Sequence, residues 1–209
     1  MARRLALWFW MALAISAPVR AEGIVDVLER SQRMRLATFE TVPQDDPRAA
    51  IVRESFERVL KASGEAVRPQ LRVVTGPVWA ETLLRGQVIV ANEALADVSE
   101  GERVFMIAHE LGHVVRGHWG ELGALYLRYV PAEVTPQVTD AVAGLLGREA
   151  SALSHQHEFD ADAYGLALIQ RMGYPIDTAI GVFLHLPVQM DTATHPGTRR
   201  RVAQLRSMQ

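Results

Sequence analysis

Residues 99–118 of the sequence read SEGERVFMIAHELGHVVRGH and carry a strong helix pattern. Ser99, followed three residues later by Glu102, matches the capping box that begins many helices. Apolar residues then recur at helical spacing without a proline, as they do along a helix that packs on a core. We therefore predict a helix from about Glu100 to His118.

Two histidines four residues apart lie inside that predicted helix. His109 and His113 share one helix face with Cβ atoms about 5–6 Å apart, so both imidazoles can bind one metal ion. A catalytic zinc takes three protein ligands and keeps one position for water, whose pKa falls towards about 7. Glu110 can then act as the general base. The alternative is that both histidines are ordinary core or surface residues.

A glycine sits between these histidines at Gly112. Glycine inside a helix costs about 1 kcal/mol relative to alanine. We expect a close neighbour near the metal to explain it, although a packing glycine needs no metal.

A third ligand is needed, and residues 154–162, which read SHQHEFDAD, offer candidates. Glu158 and Asp162 lie one helical turn apart on one face, with His155 near that face. His157 and Asp160 point elsewhere. These residues alone leave Glu158 and His155 as rival ligands.

The motifs at residues 104–118 and 158–162, together with Thr194-His195-Pro196 and Arg201, resemble those of the M48 family of gluzincin metallopeptidases. The resemblance spans residues 104–205 and implies a zincin-like domain that binds one Zn²⁺ per chain. By this resemblance His109, His113 and Glu158 bind the zinc, Glu110 is the base and Asp162 supports the site. A carboxylate that accepts the ring N–H of a ligating imidazole would fix its tautomer. The alternative for Asp162 is a solvated charge on the helix face.

The same resemblance covers His195 and Arg201 near the C-terminus. A positive or hydrogen-bonding group there could stabilise the oxyanion of the reaction. The alternative is that residues 199–201, all arginine, form a solvated basic face while His195 holds a loop.

His118 is a further candidate ligand, of the metzincin type. That motif needs Gly and His three and six residues after the second ligand, but Arg116 and Trp119 occupy those positions. We therefore predict that His118 is a helix-end residue that interacts with C-terminal carbonyls.

The rest of the chain predicts an α+β fold, mainly helical, with a small sheet beside the active-site helix. Apolar spacing predicts helices at 24–39 and 51–62, and short β-branched runs predict strands at 70–75 and 87–91. A polar turn at 131–136 precedes a long helical stretch, in which 141–153 reads as a core helix and 154–171 carries the cluster described above. The strand at 87–91 could hold an extended peptide along an exposed edge; the alternative is an ordinary, covered sheet edge.

Composition limits the class of partner. The chain has 209 residues, a formal net charge of −2 and no cysteine. No global field favours nucleic acid, and His, Asp and Glu remain as the metal-binding side chains. We expect protein or peptide substrates and no nucleic-acid partner; the sequence gives no oligomeric state.

The N-terminus has the pattern of an export signal. Arg3 and Arg4 precede an apolar run from Leu5 to Ala17, and a cleavage site follows at Ala21. We predict a signal peptide at 1–21, one domain at 22–209, and a periplasmic or secreted protein. The alternatives are a retained membrane anchor and a buried first helix of the mature fold. Peripheral membrane association is a further expectation for the protein.

These patterns predict a zinc-dependent endopeptidase, and the resemblance to small envelope members of the family implies unfolded or damaged envelope proteins as substrates. The alternatives are a zinc-dependent amidase acting on cell-wall peptides and a non-catalytic metal-binding adaptor. Glu110 argues against the adaptor, because a structural zinc site is usually closed by four protein ligands and needs no base.

Overall fold

The computed structural model describes residues 22–185 and 188–208. In chain order its elements are α1 (Ile24–Ala37), α2 (Pro47–Ser63), β1 (Gln70–Val74), β2 (Ala80–Leu83), β3 (Val88–Asn92), a 3₁₀ helix (Glu93–Asp97), α3 (Glu100–Arg116), α4 (His118–Tyr129), α5 (Pro136–Arg171), α6 (Ile176–His185) and α7 (Thr198–Arg206). The predicted α+β, mainly helical fold is confirmed. The predicted signal peptide lies outside the described residues. Among the helices that are described, none combines the length and apolar character of a membrane span.

Helix α3 begins where the capping box predicts. The Ser99 side chain accepts the backbone N–H of Glu102, and the Glu102 carboxylate accepts the N–H of Ser99 at 3.0 Å. The helix ends earlier than predicted, because Gly117 adopts a left-handed conformation with φ of 70° and caps it after Arg116. His118 is consequently the first residue of α4, a helix that the sequence analysis did not predict.

Helix α5 is one continuous helix of 36 residues. The segments predicted at 141–153 and 154–171 are its two halves. The prediction of a core helix at 141–153 is only partly right: Leu146 and Ala150 are buried against α1 and α4, but most of that half is exposed.

The sheet has the strand order β1-β3-β2. β3 pairs in parallel with β1 and antiparallel with β2, and all five of its residues are buried. The prediction that residues 87–91 form an exposed edge for a peptide is therefore wrong. Among the described strands, β2 pairs with β3 alone and is the edge beside α3.

Helices α3 and α5 pack directly against each other through two glycines. A Cβ at Gly112 would lie 3.2 Å from the Cα of Ala161, and a Cβ at Gly165 would lie 3.2 Å from the backbone nitrogen of His109. Both distances are tighter than ordinary van der Waals contact. The close neighbour expected for Gly112 is therefore a turn of α5, and the second glycine was not anticipated.

We expect Gly165→Ala to lower the free energy of unfolding by about 1–3 kcal/mol, the usual effect of overpacking a core. The added methyl group would meet backbone atoms of His109, which cannot move without shifting α3. Urea denaturation of the metal-free protein measures the change. Gly147→Ala is the matched control on the same helix: its Cβ would meet nothing within 4 Å, so a gain of about 0.5–1 kcal/mol is expected. Equal effects of the two variants would contradict this account of the helix contact.

Candidate metal centre

The two histidines of α3 turn the same ring atom towards one point. The Nε2 atoms of His109 and His113 lie 3.2 Å apart, and their rings meet edge to face. His109 is buried, whereas His113 is partly open to the cleft above it. This geometry follows from the spacing of four residues on one helix.

Glu158 reaches the same point from α5. Its Oε2 lies 3.6 Å from Nε2 of His109, and its Oε1 lies 3.4 Å from Nε2 of His113. Metal bonds of about 2.0–2.1 Å in a tetrahedron place neighbouring ligand atoms about 3.3–3.4 Å apart. The three side chains therefore have the separations expected of a zinc ligand set, and they form a group that could hold a metal ion in the described part of the chain.

The carboxylate of Glu158 also carries an atom suited to a cation. Its buried Oε2 makes no hydrogen bond, although Arg201 Nη1 lies 3.1 Å away as an ion pair. Burial by itself would raise the pKa of Glu158, but contact with His113 and the charges of His109 and Arg201 outweigh it and lower the pKa. The group is held as a carboxylate with a free lone pair, which fits metal ligation.

Asp162 lies one turn further along α5 and is completely buried. Its Oδ1 lies 3.0 Å from Nδ1 of His109, and Arg201 donates to both of its oxygens at 2.6 and 2.8 Å. Burial would raise the pKa of Asp162, but the charge of Arg201 and these hydrogen bonds lower it. The carboxylate can thus accept Nδ1–H of His109 and leave Nε2 free. The alternative of a solvated charge at Asp162 is excluded by its burial.

Arg201 occupies the interior and not a solvated basic face. Its side chain is 15% exposed and stacks on Phe183 at 5.0 Å. Its donors point to Asp162 and Glu158, whereas Arg199 and Arg200 are exposed. The guanidinium therefore positions two carboxylates of the site.

Glu110 lines the cleft beside the histidines and is only 8% exposed. Thr82 on β2 donates its hydroxyl to Oε2 of Glu110 at 2.8 Å. Thr82 was not predicted as a site residue, because β2 carries no strand signal strong enough to be recognised. The edge strand thus orients the candidate base.

His195 lies on the segment that precedes α7, with Nε2 3.5 Å from Oε1 of Glu158 and about half of the side chain exposed. Thr194 holds its Nδ1 at 2.8 Å. His155, the rival ligand, instead lies 2.7 Å from the carbonyl oxygen of Thr192. His195 therefore lies near the candidate ligands, whereas His155 contacts the segment that contains Thr192.

His118 does not contact helix C-terminal carbonyls, so that prediction is wrong. It is buried, its Nδ1 lies 2.9 Å from Nδ1 of His113, and its ring stacks on His157 with centroids 4.0 Å apart. Burial, followed by the neighbouring His113 and His157, lowers the pKa of His118 to about 3. His157 points away from the face that carries Glu158, as predicted, and its Nε2 lies 2.9 Å from the carboxylate of Glu121 on α4.

One cleft of about 830 Å³ is lined by the three candidate ligands together with Thr82, Glu110, His195 and Arg201. β2 forms one wall, α3 and α5 form the floor, and the segment carrying His195 forms the opposite wall. A cleft that brings several polar and titratable side chains together is the natural candidate for the active site.

The family model described as Peptidase family M48 matches residues 47–209. The chain belongs to peptidase family M48. No curated protein matches it. The matched residues of this M48 chain include every candidate site residue described above, and membership makes the chain a peptidase of a family that typically binds a metal. Helix α1 lies outside the match.

We expect Asp162→Asn to lower the free energy of unfolding of the metal-free protein by about 3–5 kcal/mol at neutral pH, because Arg201 loses its main buried partner. The folded-state pKa of Asp162 is below its unfolded value of roughly 3.9, so its contribution is complete above that value and is lost as the pH falls through the folded pKa. The difference between wild type and variant should therefore shrink in acid, as measured by urea denaturation at several pH values.

Asp160→Asn is the matched control on the same helix. Asp160 accepts a hydrogen bond from Gln156 at the surface, so a change within about 0.5 kcal/mol is expected. A loss as large as that of the Asp162 variant, or a difference that does not change with pH, would contradict the assigned role of the buried pair.

Proposed function

We propose that the chain is a zinc-dependent endopeptidase that cleaves unfolded or damaged proteins of the cell envelope. The observation that carries the proposal is the approach of Glu158 on α5 to within 3.4–3.6 Å of His109 and His113 on α3, with a candidate base beside them. Export by a signal peptide at residues 1–21, to the periplasm or the medium, is part of the same proposal and rests on the basic, then apolar, N-terminal sequence.

His109, His113 and Glu158 would hold the zinc ion. When bound, the ion supplies Lewis-acid chemistry, lowering the pKa of a water molecule and polarising the scissile carbonyl. Glu110 takes the proton from the attacking water and passes it to the leaving amine. Thr82 holds the Glu110 carboxylate by its hydroxyl, which orients the base before substrate arrives.

His195 would donate a hydrogen bond from Nε2 to the oxyanion that forms on the carbonyl. Its ring lies near the carboxylate of Glu158, on the wall opposite β2. A substrate bound along the floor would therefore lie between His195 and β2. Arg201 takes no direct part in this step, because its donors are engaged by Asp162 and Glu158.

A substrate backbone would add to the unpaired side of β2 by main-chain hydrogen bonds, which accept many sequences. Three apolar side chains support a preference for unfolded chains: Leu184, Val188 and Met190, each next in sequence to a residue that lines the cleft, are 83%, 73% and 83% exposed. Folded proteins expose few extended segments whose backbone groups lack partners. The same side chains are compatible with peripheral membrane association.

We expect Glu110→Gln to keep one zinc per chain and to reduce the rate of cleavage of unfolded casein by a factor of about 10²–10⁴, the usual contribution of a general base. Elemental analysis measures the zinc, and a fluorescence assay measures cleavage. Glu57→Gln, at an exposed position of α2, is the control and should match wild type.

The outcomes separate the candidate functions. Equal activity of the Glu110 variant would remove this residue from the mechanism. Cleavage of a cell-wall peptide with casein untouched would favour the amidase, and zinc without hydrolysis of either would favour the adaptor.

We expect Thr82→Val to lower kcat about tenfold with little change in KM, the size of one hydrogen bond to a charged group. Valine keeps the shape of threonine and the backbone of β2, so peptide addition to the edge survives while the Glu110 carboxylate loses its hydroxyl partner. Steady-state kinetics on an unfolded substrate give both constants. A rise in KM at constant kcat would instead assign Thr82 to substrate binding.

A further inference from the structure

Each histidine of the metal pair needs an acceptor at the ring nitrogen that faces away from the site. A neutral imidazole carries its proton on one nitrogen and a lone pair on the other. His109 and His113 turn Nε2 towards Glu158, so each must carry a proton on Nδ1 when an ion is bound. Asp162 accepts that proton from His109.

The partner of His113 is a second imidazole and not a carboxylate. Its Nδ1 lies 2.9 Å from Nδ1 of His118. Two ring nitrogens at this distance form a hydrogen bond only if one carries a proton and the other a lone pair. Because His113 must keep its Nε2 lone pair for the ion, His113 is the donor and His118 the acceptor.

The turn at Gly117 makes this contact geometrically available. Five residues along an unbroken helix turn the side chain about 140° away around the axis, so His118 could not face His113 if α3 continued. Gly117 adopts φ of 70°, ends α3 and starts α4 at His118. The new helix direction returns the imidazole to the ring five residues before it.

Side chains of α5 and α4 hold the imidazole ring of His118 in place. His118 is 5% exposed and stacks on His157 of α5 with an interplanar angle of 7°. His157 is buried as well, and its Nε2 lies 2.9 Å from the carboxylate of Glu121 on α4. The stack prevents rotation of His118, so its Nδ1 stays directed at His113.

We propose that His118 is a positioning residue that accepts the Nδ1–H of His113 and holds the Nε2 lone pair of that ring towards the metal. It plays for His113 the part that Asp162 plays for His109. The inference deepens the proposed function, because it rests on zinc binding at this site. Outer partners of ligating histidines commonly change metal affinity by a factor of about 10–100.

Two variants of His118 separate acceptance from packing. Phenylalanine keeps a ring to stack on His157 and has no acceptor, whereas asparagine loses the stack and places an amide oxygen near the position of Nδ1. We expect His118→Phe to weaken zinc binding by a factor of about 10–100 and His118→Asn to restore most of that loss. Competition with a chromophoric chelator measures the affinity, and circular dichroism of the metal-free variants confirms that they fold.

A spectroscopic readout tests the hydrogen bond itself. In the ¹⁵N-labelled, zinc-loaded wild type, Nδ1–H of His113 should give a downfield, slowly exchanging proton resonance. It should move upfield and exchange faster in His118→Phe and stay in His118→Asn. An unchanged resonance in the phenylalanine variant, equal affinities of that variant and wild type, or equal losses in both variants would overturn the inference. If wild type itself binds no zinc, the proposed metal centre fails together with it.

Discussion

The close contact between α3 and α5 is the constraint on which the site depends. Gly112 and Gly165 let the two helix backbones approach until a Cβ on either helix would press on backbone atoms of the other. At this separation the Glu158 side chain on α5 reaches the imidazoles of α3 within a ligand–ligand distance. The helices supply the ligands as rigid elements, which hold a coordination geometry more accurately than loops do.

A divalent ion would also balance the charge of the site once its imidazoles are neutral. Three largely buried carboxylates, on Glu110, Glu158 and Asp162, face one guanidinium, that of Arg201. With neutral imidazoles, as ligation requires, three negative charges and one positive charge leave a net charge of −2. Buried charge of this size is strongly unfavourable unless it is compensated. A divalent cation at Glu158 balances it, and Arg201 keeps the two α5 carboxylates in place.

Much of this arrangement could be predicted from the sequence because it is local. The capping box fixed the start of α3, and a spacing of four residues fixed the shared face of His109 and His113. The choice between Glu158 and His155 was not local: it depends on how α5 crosses α3, and the residues alone left it open. His118 was misjudged because the left-handed Gly117 ends α3, so the spacing of an unbroken helix does not apply between His113 and His118. β2 and Thr82 were missed because a four-residue strand beside a turn has too few positions for alternation to be recognised.

The structure divides the site into a rigid half and a half that meets substrate. Helices α3 and α5 carry the candidate ligands, and buried acceptors fix both histidine rings at Nδ1: Asp162 for one ring and His118 for the other. The groups that would contact the peptide lie elsewhere: β2 offers its main-chain edge, and His195 is on the segment before α7. The partners at Nδ1 hold the two ligand rings, whereas β2 and the segment before α7 do not. These two segments can therefore differ in sequence or shift with substrate while the geometry of the ligand set stays the same.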